Sequence, residues 1–308
     1  MHLGDGPIAI WSGIFGQIPL LRRCSSRLLP ICLAGKPERA HPDRPEPEYL
    51  GMSVNLHRIR HLQAIMDIAT YAAEAAIEAD HWWYVGRRLL FSDIIKAFGL
   101  TESAEILDVG TSAGTNLRML RDLGFARIIG VDQSPEAIRF CAEKGLGKVQ
   151  LGDVCALPFG DRRFDLVLAT DIIEHVEDDL SALRELRRVL KPGRHLLLTV
   201  PAFRLLWGLE DDVSHHQRRY RLPELLEKLD RADLSPVQHF YFNYLLFLPI
   251  LATRYLMRII NLRVATEGEL NTEWLNRMLT LLFRLDVRTA ARLRPPVGVS
   301  ALVVATRN

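Results

Sequence analysis

Short apolar runs alternate with amphipathic stretches along the chain beyond residue 105. The runs have the length of buried strands, and the stretches between them have the apolar spacing of helices. The predicted strands are 106–109, 127–131, 149–151, 164–169, 195–200, 236–242 and 299–306, and the predicted helices between them are 115–123, 135–144, 180–190 and 223–232. This alternation predicts an α/β fold with a doubly wound, mostly parallel seven-stranded sheet of Rossmann-like order.

The segment before this alternation differs in composition. Residues 1–51 are predicted to be a disordered extension and linker, because 36–50 place four prolines among charges. They fit a dispensable tail, with Met52 as the true start. They also fit a targeting segment, since 7–33 contain arginines and no acidic residue.

Composition and charge narrow the function without naming it. The chain has 308 residues, a net charge of +2 and 25% charged residues, so charge does not call for a nucleic-acid partner. Its four cysteines show neither zinc-site nor disulfide-framework spacing, so no metal site and a reducing, cytoplasmic compartment are expected.

The turn after the first predicted strand is rich in small residues. It runs from Asp108 to Thr115 and leads directly into a helix, while Asp132 ends the second strand and could accept hydrogen bonds from a ribose. A dinucleotide dehydrogenase would need glycine at positions occupied by Ser112 and Thr115, because the pyrophosphate must approach the backbone closely. The spacing therefore counts against an NAD-dependent oxidoreductase.

Five motifs in order resemble the class I S-adenosylmethionine (SAM)-dependent methyltransferases, in the branch of ubiquinone-biosynthesis and small-molecule enzymes. They are 108–114, Asp132, 152–159, 164–175 and 190–194. The resemblance covers about residue 81 to the C-terminus and implies SAM as the cofactor. It implies a cofactor-binding set of Asp108, Gly110, Thr111, Ser112, Gly114, Asp132, Gln133, Asp153, Val154 and Asp171. Ser112 departs from the family's usual glycine.

The same resemblance bears on the parts that flank the sheet. Residues 52–100 are expected to form an N-terminal helical lid, with helical spacing over 56–79 and 87–98. The aromatic stretch 81–84 interrupts this spacing, and its side chains either cover the cofactor or pack a helix on the sheet edge. Residues 101–308 would then form the SAM-binding domain.

Candidate general bases lie on two predicted loops. His175 follows the fourth strand, and His215, His216 and Tyr220 lie in the segment after the fifth. Either loop could supply a base, or its side chains could serve packing and solvation. Adjacent histidines alone are a poor metal site, because neighbouring side chains rarely converge on one ion.

An insertion at about 244–296 precedes the last strand. Within 254–294 there are eight arginines and four acidic residues among many leucines. This pattern fits contact with an anionic bilayer surface or a lipid-linked substrate, or an ordinary helical cap with arginines directed outward. A peripheral membrane contact is therefore an expectation beside the cytoplasmic location.

The sequence thus predicts a methyltransferase that transfers a methyl group from SAM to an oxygen or carbon of a small-molecule or lipid-linked acceptor. No nucleic-acid partner is expected. The alternative is a non-catalytic SAM-binding subunit that docks on a membrane-associated complex.

Overall fold

The structure is a computed structural model, and it describes residues 75–259 and 272–308. The predicted extension at 1–51 lies outside the described residues. So do most of the predicted helix at 56–79 and the middle of the predicted insertion.

Seven strands form one sheet in the order β3-β2-β1-β4-β5-β7-β6. All neighbouring strands pair in parallel except at β7, which is antiparallel to both β5 and β6. The strands are β1 Glu105–Val109, β2 Arg127–Asp132, β3 Lys148–Leu151, β4 Phe164–Thr170, β5 Leu190–Pro201, β6 Leu234–Phe242 and β7 Ser300–Arg307. The predicted fold class is confirmed, and each predicted strand is present.

Helices flank this sheet, and all but the short α5 lie in segments predicted to be helical. They are α1 Trp82–Ala97, α2 Thr115–Asp122, α3 Pro135–Glu143, α4 Asp179–Val189, α5 Leu209–Val213, α6 Leu222–Arg231, α7 Phe247–Ile259 and α8 Glu273–Leu293. Among the described residues, none of these helices is both long enough and apolar enough to cross a bilayer.

One local prediction was wrong. The aromatic stretch 81–84 was expected to interrupt the helical spacing, but Trp82 begins α1. His81 has an extended backbone and is the N-cap residue, and the break in the helical conformation covers the turn at 78–80 and His81. Trp83 then stacks on Phe283 of α8, with ring centroids 5.4 Å apart.

The centre of the sheet is the centre of the core. All seven residues of β4 are buried, which explains why four successive positions of the strand, 166–169, are apolar and do not alternate with polar ones. The strand order reverses between β1 and β4, so their carboxyl ends diverge into a crevice. The helices α1 and α8 cover one face of the sheet, where Phe91 and Phe283 join the core.

Candidate active site

A cavity of about 660 Å³ opens at the carboxyl ends of β1, β2 and β4. Its volume is in the range of small-molecule and cofactor sites. It is lined by the turn after β1, the end of β2, the segment after β3, the loop after β4 and the segment after α5. Ten predicted site residues line it: Gly110, Thr111, Ser112, Asp132, Gln133, Asp153, Val154, Asp171, His175 and His215.

The turn after β1 needs glycine at its first position. Gly110 has φ +74°, and a Cβ there would lie 1.7 Å from Cδ1 of Ile172. The amides of Gly110 and Thr111 both donate to the carbonyl of Val131, which anchors the turn to the end of β2. Ser112 also has a left-handed backbone, with φ 48°. The backbone is thereby held close to the cavity.

Asp132 joins the turn after β1 to the start of α3. Its two carboxylate oxygens accept hydrogen bonds from the amides of Ser112 and Ser134, each at 2.9 Å. Ser134 is the residue whose side chain caps α3. Asp132 is therefore not the helix cap, and it lies at the rim of the cavity with 5% exposure.

The segment after β3 forms another wall. Asp153 accepts a hydrogen bond from the amide of Cys155 at 2.8 Å, and Asp153 and Val154 line the cavity together. Gly152 is tightly placed, because an added Cβ would lie 3.0 Å from Cδ of Pro158. This wall therefore stands in a fixed position relative to Asp132.

Two predicted cofactor residues lie behind the cavity wall. Asp108 is fully buried, and Oδ1 accepts a hydrogen bond from Asn116, a cavity-lining residue, at 2.9 Å. Burial raises the pKa of Asp108 to about 7. Gly114 is the N-cap residue of α2 with φ 91°. Both residues shape the wall without forming its surface.

The loop after β4 carries three charged or titratable side chains in a row of five residues. Asp171 forms an ion pair with Arg87 of α1 at 2.7 Å. Glu174 is fully buried, and burial raises its pKa well above the ordinary value. Burial, with help from the nearby His216, lowers the pKa of His175 to about 4, so its ring is neutral near pH 7.

The four predicted bases do not share one environment. His175 and His215 line the cavity, and the rings of His175 and His216 lie edge to face with centroids 4.6 Å apart. Tyr220 is fully buried, and its hydroxyl donates to Asp179 at 2.8 Å. Burial and the adjacent Asp179 carboxylate raise the pKa of Tyr220 far above its ordinary value. Tyr220 does not line the cavity.

An interior ion-pair cluster lies in the segment predicted to be a polar loop. Asp211 is fully buried and accepts hydrogen bonds from Arg219 at 2.7 Å and from Nδ1 of His216 at 2.8 Å. Burial alone would raise the pKa of Asp211, but these hydrogen bonds hold it well below its ordinary value. The charges therefore hold this segment together, and Tyr220 packs beneath it.

Several cavity-lining residues were missed by reasoning from the sequence. Glu78 is buried and accepts hydrogen bonds from Arg118 and Lys144 at 2.9 Å and 2.7 Å. In the sequence, the missed residues are marked only by their nearness to the cofactor motifs. Long-range contacts decide which polar side chains reach the cavity. The missed residues include Glu78, Arg87, Arg88, Asn116, Thr170 and Gln217, whereas Tyr84 belongs to the aromatic stretch for which a cover over the cofactor was one of two expectations.

A family model described as a methyltransferase domain matches residues 107–198. This match runs from β1 to β5 and contains the cavity-forming turns described above. The match identifies residues 107–198 as a methyltransferase domain, which supports the resemblance to the class I SAM-dependent methyltransferases.

Curated relatives align with parts of this chain. It is 35% identical over 124 residues to norajmaline N-methyltransferase of Rauvolfia serpentina, covering 37% of this chain and 41% of that protein. It is 31% identical over 158 residues to probable chloroplastic tocopherol O-methyltransferase of Oryza sativa subsp. japonica, covering 46% and 42%. The chain thus spans less than half the length of these relatives.

A solved structure supports the fold of this chain independently. A chain of the complex between the Haloferax volcanii Trm112 methyltransferase activator and a methyltransferase superposes with a TM-score of 0.51 and 21% identity. The match covers 77% of this chain and 94% of that one.

SAM is the cofactor of this family, and the cavity residues fit it. Asp132 offers a carboxylate at the end of β2, where an acid can bind ribose hydroxyls. The turn at Gly110 admits a ligand against the backbone, since a side chain there would clash with Ile172. The Asp132 carboxylate also suits a ligand with a sulfonium and an ammonium group, whereas the charge of Asp171 is balanced by Arg87.

Proposed function

We propose that the chain is a methyltransferase that transfers the methyl group of SAM to an oxygen or carbon of a small-molecule or lipid-linked acceptor. The observation that carries this proposal is the cavity at the strand-order reversal, with Asp132 and the Gly110 turn on its cofactor side. In-line methyl transfer mainly needs an aligned nucleophile and the exclusion of water.

Each cofactor residue has a proposed role. Asp132 accepts hydrogen bonds from the ribose hydroxyls, with Gln133 beside it, and Asp153 accepts one from the adenine amino group. The amide of Val154 donates to the adenine ring. Gly110, Thr111 and Ser112 let the backbone approach the methionine part. Asp108, Gly114 and Asp171 position these groups, since Asp108 and Gly114 lie behind the wall and Asp171 is paired with Arg87.

The acceptor would lie on the side formed by α1 and the two loops after β4 and α5. Tyr84 and Arg87 reach the cavity from α1, while His175 and His215 reach it from the loops. Of the four candidate bases, we therefore propose His175 and His215 for contact with the acceptor. His216 and Tyr220 would act from behind this surface.

The names of the relatives support a small-molecule acceptor. Two relatives are named for tocopherol O-methylation and for methylation of 2-methyl-6-phytyl-1,4-hydroquinone, the latter from Synechocystis at 29% identity over 43% of this chain. A phytyl chain is a long hydrocarbon, so such an acceptor partitions into lipid.

The surface of α8 supports a lipid-associated acceptor. Trp274, Leu281 and Leu285 are 66%, 67% and 55% exposed and lie along one side of the helix. The helix also carries four exposed arginines against one exposed acid, Glu273. Exposed apolar side chains flanked by arginines bind anionic bilayer surfaces. We propose that α8 rests on such a surface.

The cofactor assignment is tested by calorimetric titration of the full chain with SAM, S-adenosylhomocysteine and NAD. We expect micromolar binding of SAM or its demethylated product and none of NAD. Asp132→Asn and Asp132→Ala should weaken binding about 10–100-fold, the range of a lost hydrogen bond to a charged group. Asp230→Ala, which removes an exposed acid on α6, is the matched control and should bind normally.

Circular dichroism should show that all these variants remain folded. Absence of SAM and product binding in the folded wild-type chain would contradict the proposal. The non-catalytic alternative is separated by turnover: binding of SAM without product formation on any quinol, phenol or lipid-linked acceptor would favour a docking subunit.

A further inference from the structure

A buried carboxylate in the loop after β4 has no partner for its charge. Glu174 is fully buried, and neither of its carboxylate oxygens has a hydrogen-bond partner among the described residues. An isolated carboxylate in the protein interior is costly unless it is paired or binds a metal ion. Glu174 is therefore stable in this position either as the neutral acid or bound to a cation.

The nearby arginines are committed to other acids. Arg87 pairs with Asp171 at 2.7 Å, and Arg219 pairs with Asp211 at 2.7 Å. No ion pair to Glu174 is formed within residues 75–259 and 272–308. Arg254 also faces Asp211, at 3.8 Å, so these arginines pair with Asp171 and Asp211 and not with Glu174.

Two imidazoles converge on this carboxylate. One ligand atom each from Glu174, His175 and His216 lie within 4.8 Å of one another. Small side-chain movements would bring three atoms at this separation to metal–ligand distances of about 2.0–2.2 Å from one ion. The three residues come from two loops, which the hydrogen bond from the amide of Gln217 to the carbonyl of Glu174 holds together at 2.7 Å.

The outer contacts of both histidines leave ring nitrogens available. Nδ1 of His216 contacts the carboxylate of Asp211 at 2.8 Å, so in the neutral ring Nδ1 carries the proton and Nε2 has a free lone pair. His175 is held by a hydrogen bond to the backbone of Ser214. Metal-binding histidines commonly donate their other N–H to a carboxylate or a carbonyl in this way.

We propose that Glu174, His175 and His216 bind one divalent transition-metal ion. Two imidazoles and one carboxylate suit Zn²⁺ and its first-row neighbours and leave at least one coordination position open. His175 lines the cavity, so the open position is at the acceptor side. The adjacent histidines His215 and His216 alone would be a poor metal site. The proposed site differs, because it combines His216 with His175 and with the carboxylate of Glu174.

The catalytic use of this ion rests on the proposed function, but the site itself does not. An acceptor hydroxyl bound at the open position would have a lowered pKa and would lose its proton to water or to His215. Its oxygen would then form a bond to the methyl carbon as the carbon–sulfur bond breaks, leaving S-adenosylhomocysteine. His175 would act as a ligand in this scheme and not as the base.

Direct metal binding tests the proposal. The full chain is stripped with EDTA, dialysed and titrated with Zn²⁺ in a calorimeter, and a parallel titration with Co²⁺ is followed by visible absorption. We expect one Zn²⁺ per chain and a Co²⁺ d–d band of low-coordinate type. Glu174→Gln and His216→Gln should each weaken Zn²⁺ binding at least tenfold and reduce the Co²⁺ band.

His215→Gln is the matched control, because it removes an adjacent histidine that is not in the cluster, and it should bind Zn²⁺ like the wild type. Binding of S-adenosylhomocysteine, measured on every variant, reports an intact fold and cofactor site. Equal Zn²⁺ affinity in all variants would overturn the proposal, as would no Zn²⁺ binding by chain that still binds the cofactor product. A third outcome separates the two proposals. If the wild type binds Zn²⁺ but not S-adenosylhomocysteine, and Glu174→Gln loses Zn²⁺ binding, the metal site is supported and the methyltransferase function is contradicted.

Discussion

Three residues at the cavity have left-handed backbones although none is glycine. Ser112, Asp171 and His215 have φ values of 48°, 57° and 54°. For residues with a Cβ this conformation costs roughly 1–2 kcal/mol, and it persists where surrounding contacts fix it. At Ser112 the amide donates to Asp132 at 2.9 Å, so the strained turn is bound to the end of β2. The family's usual glycine would adopt the same turn without strain.

The strain at Ser112 is measurable by two substitutions. Ser112→Gly removes both the hydroxyl and the Cβ, whereas Ser112→Ala removes only the hydroxyl. We expect the glycine variant to be more stable than the alanine variant by about 0.5–1 kcal/mol, since relief of the left-handed strain exceeds the added freedom of the unfolded chain. Urea unfolding of both variants measures the difference. A more stable alanine variant would show that this turn is unstrained.

The contact between α1 and α8 depends on one glycine. A Cβ added at Gly86 would lie 2.0 Å from Cδ1 of Phe283, whose ring is fully buried against the sheet. The ring also stacks with Trp83 and Phe242, so it has no free direction in which to move. The helix from the N-terminal part and the helix from the insertion thus approach each other at this glycine.

Gly86→Ala therefore has the opposite sign from that expected for a solvent-exposed helix. There, alanine in place of glycine stabilises by about 1 kcal/mol. Here, we expect a net loss of about 1–3 kcal/mol of unfolding free energy, because overpacking dominates. Urea unfolding measures it, with Gly160→Ala as control, since a Cβ at Gly160 meets nothing within 4 Å. Adding Phe283→Leu to Gly86→Ala should recover part of the loss, and strict additivity of the two changes would argue against the contact.

At the scale of the whole molecule, the exposed apolar surface is concentrated in the insertion. On α7, Leu248, Tyr255 and Ile259 are 70%, 63% and 64% exposed, in addition to the side chains of α8. Scattered single apolar residues are normal on protein surfaces, but clusters of this kind mark interaction sites. The same insertion packs Phe283 and Val287 into the core, so it serves both the fold and its outer surface.

Co-sedimentation with vesicles tests whether α8 binds a bilayer. We expect the full chain to pellet with vesicles containing anionic lipid, less with purely zwitterionic vesicles and less at high salt. Leu281→Gln with Leu285→Gln should reduce the bound fraction several-fold. The matched control, Leu151→Gln with Val237→Gln, changes two exposed apolar side chains outside the insertion and should bind normally. Equal binding by both double variants would exclude α8 as the contact surface.

The sequence by itself determined the sheet, the helices between its strands and the cofactor-side turns. These features depend on local periodicity and on short segments such as the turn at Gly110, where one backbone conformation requires one residue type. The N-terminal boundary of α1 was predicted wrongly, because the aromatic stretch was taken to interrupt the helix. Its rings instead pack on α8, which is distant in the sequence.

Only the tertiary structure decided what each polar side chain of the loops does. Tyr220 is a residue type that can act as a general base, but its buried hydroxyl donates a hydrogen bond to Asp179. Arg219 likewise donates to Asp211. In the sequence, Glu174 is only one residue of a motif. In the structure, contacts between two loops bury it beside His175 and His216, and its carboxylate oxygens have no hydrogen-bond partner among the described residues. Burial and pairing depend on which distant residues arrive at the same place, and a local pattern of residue types does not contain that information.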